Sequence, residues 1–486
     1  MTITVGIDIG TSSVKVALVE DKDDAVLATA SRPLTVSRPQ PGFSEQDPQD
    51  WWTAVCECMD ELRDRHGEPL SQAEALGLSG QMHGATLLDE EGQVLRPCIL
   101  WNDGRSAAQC AELSAAWPGL HAVTGNLAMP GFTAPKLMWV REYEPALFAR
   151  VAKVLLPKAY VRWRLSGAFI EDMSDASGTL WLDVGKRDWS DEALAATGMR
   201  REQMPDLVEG NAPAGRLSDA LCSRWGFKSP PLIAGGAGDN AAGAVGLGAT
   251  RPGDAFVSLG TSGVLWATTA SFAPAPARAV HAFCHALPGT WHQMGVTLSA
   301  AASLAWWAGI TGRDEASLLA EIDPQATDSG LWFGPYLNGE RTPHNDAKVQ
   351  GGFLGLTGGT TRADMSLAVL EGVAYAMRDA QAALASAGTQ LSEADIIGGG
   401  ARSPLWCQIM ADVLGLTLHQ VAESEIGCAL GAARLARMAA GEPLSALKKP
   451  QRLRSFTPRP ERVAQHAARH AHWQRIYPAL SAFSKA

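Results

Sequence analysis

Two short segments share a residue pattern suited to cradling an anion. Val5-Gly-Ile-Asp-Ile-Gly-Thr-Ser-Ser-Val-Lys-Val-Ala-Leu reads as strand, tight turn, strand, and Ala255-Phe-Val-Ser-Leu-Gly-Thr-Ser-Gly-Val-Leu-Trp-Ala-Thr repeats it. In each copy the backbone N–H groups converge on one small space with two hydroxyls, those of Thr11 and Ser12 or of Thr261 and Ser262. Such a turn suits a phosphate without requiring a charged side chain. The copies differ where chemistry would be decided: Asp8 in the first is matched by Ser258 in the second. A carboxylate at a strand tip beside a phosphate turn needs a metal ion or a strong donor to offset it. Asp8 is therefore a candidate metal residue.

Asp239 is the second carboxylate of interest. It lies in Gly238-Asp-Asn240, after an apolar run and among glycines that leave room for a ligand. Its natural role is a general base that takes a hydroxyl proton, although an Asx turn explains the same tripeptide equally well. Gln81-Met82-His83-Gly84 offers amide, imidazole and backbone donors on one loop, which suits a neutral polyhydroxylated molecule. Trp101-Asn-Asp-Gly-Arg105 follows a strand, where it serves equally as a helix cap with a surface arginine. Gly398-Gly399-Gly400 precedes a helix start with Ser403 as cap and Pro404 in the first turn, so backbone there can approach a flat or anionic ligand.

The elements that must position these residues follow from the apolar spacing. Asp47-Pro48 announces a helix whose Trp51, Val55, Met59 and Leu62 recur at helical period. Short apolar runs predict strands at Ala75–Ser79, from Ala85 and over Leu95–Trp101, and residues 106–230 read as helices with loops, including a helix from Pro135. Pro231–Ala234 is a strand that runs into the glycine turn before Asp239. Small-residue helices are expected at Ala241–Gly248 and Gly427–Ala433, and a long amphipathic helix over Met365–Ala385. Arg251-Pro-Gly-Asp254 reads as a linker, which places a domain boundary near residue 250.

Bulk properties narrow the classes. A chain of 486 residues exceeds one ordinary core and predicts two domains of about 240 residues each. Its 46% hydrophobic and 19% charged content belongs to globular proteins, and a net charge of −10 argues against nucleic acid or an anionic membrane as partner. No apolar run approaches the roughly 18 residues of a membrane span, and no leader precedes the first strand, so a cytoplasmic protein is expected. The eight cysteines are scattered and read as reduced, buried thiols; His281-x-x-Cys284-His285 lacks the second pair of a metal site. There is no Walker loop, no third spaced glycine of a dinucleotide fingerprint and no G-x-S-x-G elbow.

Read in order, several segments together resemble the FGGY family of carbohydrate kinases. They are Gly6-Ile-Asp-Ile-Gly-Thr-Ser, Ser44-Glu-Gln-Asp-Pro, Gly80-Gln-Met-His-Gly-Ala-Thr, Leu100-Trp-Asn-Asp-Gly-Arg, Thr124-Gly-Asn and Gly131-Phe-Thr-Ala-Pro-Lys, followed by Gly238-Asp-Asn-Ala-Ala-Gly, Ser258-Leu-Gly-Thr-Ser-Gly, Gly339-Glu-Arg-Thr-Pro-His-Asn and Gly398-Gly-Gly-Ala-Arg-Ser. Each alone is weak; their ordered occurrence across residues 3 to 440 is specific.

The resemblance implies an α/β fold of two actin/Hsp70-like (ribonuclease H-like) domains facing each other across a nucleotide and sugar cleft. Residues 1–250 would form the sugar-binding domain and 251–486 the nucleotide-binding domain. It implies ATP and Mg²⁺ as cofactors and transfer of the γ-phosphoryl group to the 5-hydroxyl of D-xylulose. Asp239 matches the family's catalytic base, and Met82, His83 and Asn240 join it around the sugar. Asp8 matches the Mg²⁺-associated acid; Thr11, Ser12, Thr261 and Ser262 match the phosphate turns, and Gly399, Gly400 and Ala401 the adenosine loop. Ribulose, fuculose, gluconate or glycerol would be the acceptor in a sister kinase. An ATPase acting on a protein partner, or a silent sugar sensor, would share the fold. The tail beyond about 450 carries no motif of the family, and a homodimer is left open.

Overall fold

The computed structural model describes residues 3–324, 330–422 and 426–485. Two seven-stranded sheets organise it. The first contains β1 (Ile3–Ile9), β2 (Ser13–Glu20), β3 (Ala25–Pro33), β4 (Ala73–Gly80), β5 (Pro213–Arg216), β6 (Leu232–Ala234) and the short β7 (Ala237–Gly238). Their order is β5-β6-β4-β1-β2-β3, with β7 paired beside β4. The second contains β8 (Ala255–Leu259), β9 (Gly263–Thr269), β10 (His281–Cys284), β11 (Trp291–Thr297), β12 (Glu393–Ile397), β13 (Thr417–Val421) and β14 (Arg452–Phe456), in the order β10-β11-β9-β8-β12-β13-β14. Both sheets therefore repeat one plan: an antiparallel hairpin, β1/β2 or β8/β9, whose first strand pairs in parallel with β4 or β12. The repeated turn is the visible tip of a repeated sheet.

Both faces of β1 are covered: Ile3, Val5, Ile7 and Ile9 are buried on one, and Thr4 and Gly6 on the other. One cover is the helix Pro48–Ser71, which packs Trp51, Val55, Met59 and Leu62 on the sheet as their spacing predicts. Asp47 caps it by accepting from Gln49 N at 2.9 Å. The other cover comes from far along the chain. The helix Gly427–Ala439 lies across β1 and β4, so closely that a Cβ on Gly6 would stand 1.9 Å from the Ala429 carbonyl oxygen, and one on Gly77 1.8 Å from that of Ala432. The small residues expected at 241–248 form the helix Asp239–Gly246, and Gly431 meets its backbone at Ala242 in the same manner.

The long helix runs Arg362–Ser386, starting earlier than the periodicity indicated because Thr361 and Asp364 form a capping box. The strand expected over Leu95–Trp101 shortens to Cys98–Ile99, since Pro97 has no N–H to extend a ladder. The tail supplies an edge strand that the sequence reading lacked, β14, followed by helices Pro460–Trp473 and Ile476–Ser484. All eight cysteines are free thiols, seven of them buried. Among the described residues no helix is long and apolar enough to cross a membrane.

Candidate active site

The first Gly-Thr-Ser turn is braced by residues of three other segments. Thr11 Oγ1 donates to Gln81 Oε1 at 2.9 Å and accepts from Trp101 Nε1 at 2.9 Å. Gln46 Nε2 donates to the Thr11 carbonyl at 2.7 Å, while Gln46 Oε1 accepts from Gln81 Nε2 at 2.9 Å and Trp51 Nε1 at 3.0 Å. Gln46, Gln81 and Trp101 thus act as supports of the turn, a role that their positions in the sequence did not suggest. The donor of the Thr11 hydroxyl is committed to this bracing, whereas Ser12 is exposed.

The second turn is tied to the helix Ala301–Thr311, whose Ala300 and Ala301 N–H groups donate to the carbonyls of Thr261 and Gly260 at 2.9 and 2.8 Å. The triple-glycine loop lies directly beside it. Gly398 has φ +92° and abuts Leu259, where a Cβ would stand 2.7 Å from the carbonyl carbon. Gly399 is the open member, exposed and with nothing within 4 Å of a notional Cβ, whereas Gly400 and Ala401 are buried. A single 3-10 turn, Gly399–Arg402, separates the loop from the Ser403-capped helix Pro404–Leu414. Thr261, Ser262 and Gly399 therefore share one end of the second sheet, past the C-termini of the neighbouring β8 and β12.

Asp8 and Asp239 emerge at neighbouring strand ends. Register carries Asp8 opposite Ser79 of β4, and Ser79 opposite Ala237 of β7, which delivers the chain to Asp239 at the start of its helix. Asp8 Oδ1 is buried and, among the described residues, has no hydrogen-bond partner. Burial raises the Asp8 carboxyl above the ordinary range, against the pull of the Ser79 hydroxyl and the Lys15 charge. Asp239 Oδ1 accepts from Asn240 N at 2.7 Å and Asn240 Nδ2 at 2.9 Å. Burial first, and then the Asp8 charge, push the Asp239 carboxyl up to about 6 despite those donors. Asn240 is exposed and spends its amide on orienting Asp239.

Met82 is buried against Gly238 and Gly178, where an added Cβ would meet its side chain. His83 sits at φ +68° and its Nδ1 lies 2.6 Å from the Gly178 carbonyl oxygen. A carbonyl only accepts, so Nδ1 carries the proton and Nε2 presents a lone pair. Burial drives this imidazole down to about 3, which keeps it neutral. The His83 carbonyl is clamped by Thr133 Oγ1 at 3.1 Å and by Lys136 Nζ at 2.8 Å, an ammonium that burial lowers to about 7.

The His83 ring lies 4.7 Å from Phe132 and 6.3 Å from Phe283. Phe283 belongs to the second sheet, so the wall around His83 comes from both halves of the sequence. Phe132 lies inside the Gly131-Phe-Thr-Ala-Pro-Lys segment, but nothing local in the sequence marks β10 as its partner.

Two other clusters resolve into structure. His281, Cys284 and His285 point apart, to Asn126 Oδ1 at 2.9 Å, the Val184 carbonyl at 3.4 Å and the Ala249 carbonyl at 3.1 Å. Beneath Gly238, the fully buried Glu171, Asp172 and Asp175 surround the Lys158 ammonium, which pairs with Glu171 and lies 2.7 Å from Asp172 and 3.5 Å from Asp175. Ser174 of that segment accepts from Gly238 N at 3.2 Å and so fixes the approach to Asp239.

Comparison with known proteins accords with this geometry. The description "FGGY family of carbohydrate kinases, N-terminal domain" matches residues 3–246, and that of the C-terminal domain matches residues 255–440. The xylulose kinase of Escherichia coli (strain K12) is 48% identical over 98% of this chain and 99% of its own length. Among solved structures, a xyloylose kinase from Brucella ovis superimposes with a TM-score of 0.96 at 48% identity, covering 99% of this chain and 100% of its own. The xylulose kinase from Rhodospirillum rubrum gives 0.90 at 29% identity over the full length of both chains.

Proposed function

From the premise that this chain belongs to the FGGY family of carbohydrate kinases, we propose that it transfers the γ-phosphoryl group of ATP to the 5-hydroxyl of D-xylulose, with Asp239 as the base. Near-half identity to the E. coli xylulose kinase along the whole chain supports the acceptor. The observation that carries the mechanism is that Asp8 on β1 and Asp239 after β7 stand at the ends of the two strands that flank β4, beside the first Gly-Thr-Ser turn and the loop of the neutral His83 imidazole.

Residues 1–250 supply the base and most sugar contacts, and residues 251–486 grip the nucleotide at the sheet end of Thr261, Ser262 and Gly399. Asp239, held up to about 6, is ionised at neutral pH yet basic enough to share a hydroxyl proton as the new P–O bond forms. Asn240 keeps that carboxylate aimed. His83 Nε2 accepts from a sugar hydroxyl, and Met82 closes the apolar side beside Gly238. Ser12 and the backbone of both turns donate to phosphate oxygens, where charge stabilisation and in-line placement account for most of the rate.

The chain also fits Mg²⁺. Among the described residues the buried Asp8 Oδ1 lacks a hydrogen-bond partner, and Asp8 sits close enough to Asp239 to raise its pKa, so a cation or its water would satisfy it. Asp8 would hold the ion, which when bound neutralises charge on the phosphate oxygens. The protein would work in the cytoplasm, where ATP and sugar are available.

An ADP-release assay with D-xylulose, D-ribulose, L-fuculose, gluconate and glycerol tests the proposal. D-xylulose should show the highest kcat/KM by at least about tenfold, the discrimination a few positioned hydrogen bonds provide. A better substrate among the other four would reassign the acceptor. ADP release indifferent to all five would overturn the kinase reading in favour of an ATPase.

A further inference from the structure

Opposite His83 stands a guanidinium with donors to spare. Arg341 belongs to the loop Gly339-Glu-Arg-Thr-Pro-His, which is anchored on β11. Thr342 N donates to the Val296 carbonyl at 2.9 Å, and Thr342 Oγ1 accepts from Val296 N at 3.0 Å. The adjacent carboxylate does not pair with the guanidinium: Glu340 Oε1 accepts instead from Leu298 N at 2.9 Å and Arg341 N at 2.8 Å. Among the described residues the contact recorded for the Arg341 side chain is one neutral ring, with Nη1 3.4 Å from His281 Nε2.

That ring is itself fixed. Asn126 spends its Nδ2 on the Thr124 and Ala282 carbonyls at 2.8 and 3.0 Å, so its Oδ1 faces His281 Nδ1, and His281 donates there and accepts from Arg341 through Nε2. His281 stacks on Phe283 at 5.6 Å and lies 5.9 Å from Phe132, the two rings that also line His83. Arg341 and His83 therefore flank one cluster of rings, Phe132, His281 and Phe283, from opposite halves of the sequence.

The two ends of this cluster differ in polarity. His83 Nε2 can only accept, and Arg341 can only donate. A polyol presents hydroxyls that serve either end. The carbonyl of an open-chain ketose only accepts, and it needs a donor that wants nothing in return. A half-buried guanidinium lacking a carboxylate partner is such a donor, and leaving it without an acceptor in the bound state carries the penalty of an unsatisfied charged group. We propose that Arg341 donates to the C2 carbonyl oxygen of the bound ketose and so sets the preference of this site for a ketose over the corresponding pentitol. The inference rests on the acceptor proposed above.

The test compares D-xylulose with xylitol and D-arabitol, its two C2-reduced forms, in the wild type, R341Q and R341K. The wild type should prefer the ketose. R341Q should lose about 10- to 100-fold in kcat/KM for D-xylulose, mostly through KM, and less than about threefold for the pentitols. R341K, which keeps the charge on one donor centre, should fall between. ATP affinity and melting temperature of each variant serve as controls of folding, with R341K carrying the test if R341Q does not fold. Equal losses on ketose and pentitols would overturn the assignment, as would an undiminished preference in both variants. A wild type that ignores D-xylulose would refute the acceptor reading; a wild type that uses it, with preference intact in the variants, would refute the role of Arg341 alone.

Discussion

Asp239→Asn should make the protein inactive and more stable at once. The carboxyl is held at about 6 against an ordinary 3.8, by burial and by the Asp8 charge. A rise of about two units corresponds to about 3 kcal/mol against the ionised form at neutral pH. Because the folded pKa lies above the unfolded value, the folded chain binds the extra proton between those two values, and stability falls as pH rises through that window. Asparagine keeps the oxygen that accepts from Asn240 and removes the charge facing Asp8. The variant should therefore unfold at higher urea, by an increment approaching about 3 kcal/mol at pH 7.5 and vanishing below pH 4. Loss of the base should lower kcat by about 100- to 10,000-fold, with sugar binding largely intact. ADP release and urea titration across pH 4–8 measure both. Turnover within tenfold of the wild type would refute the base; an increment that does not change with pH would refute the electrostatic argument.

Two further outcomes follow from the same geometry. Asp8→Asn should raise the Mg²⁺ concentration for half-maximal turnover by about tenfold while leaving the sugar Kd within about threefold, and an unchanged Mg²⁺ dependence would remove Asp8 from metal binding. Gly77→Ala places a Cβ 1.8 Å from the Ala432 carbonyl oxygen, so it should lose about 3 kcal/mol or more in urea unfolding. A loss below about 1 kcal/mol would show that the helix can retreat.

Features carried by local pattern were legible in the sequence, and features created by long-range pairing were not. The hairpin β1/β2 follows from apolar strands around Gly-Thr-Ser, and the cap of Pro48–Ser71 from Asp47-Pro48, because these interactions join near neighbours. Asp8 and Asp239 were each recognisable, yet their adjacency depends on β4 lying between their strands, a pairing that no spacing reveals. β14 was missed because Arg-Leu-Arg-Ser-Phe lacks a continuous apolar run and forms at a sheet edge, where charged residues are tolerated. Thr11 was expected to offer its hydroxyl to phosphate, but Gln81 and Trp101 occupy that hydroxyl, so the turn gains its shape from residues 70 and 90 positions away.

The helix Gly427–Ala439 explains why Asp8 and Asp239 keep their mutual geometry. It lies on β1 and β4 through Gly6 and Gly77, and on the helix Asp239–Gly246 through Gly431. Cys428 at its start donates to the Asp239 carbonyl at 3.4 Å. Farther along, Arg434 donates to the carbonyls of Val245 and Gly246 at 2.9 and 3.0 Å and pairs with Asp24 at 2.8 Å in the turn after β2. One late segment thus grips the strand of Asp8, the strand of Ser79 and the helix of Asp239 together. These backbone contacts are too close for the helix to slide without clash, since packed interiors yield little. The second turn and Gly399 hang instead from β8 and β12, which this helix does not cover. A shift of the second turn relative to this assembly would leave Asp8 and Asp239 in register with each other, which suits the proposed transfer, a step limited by placement.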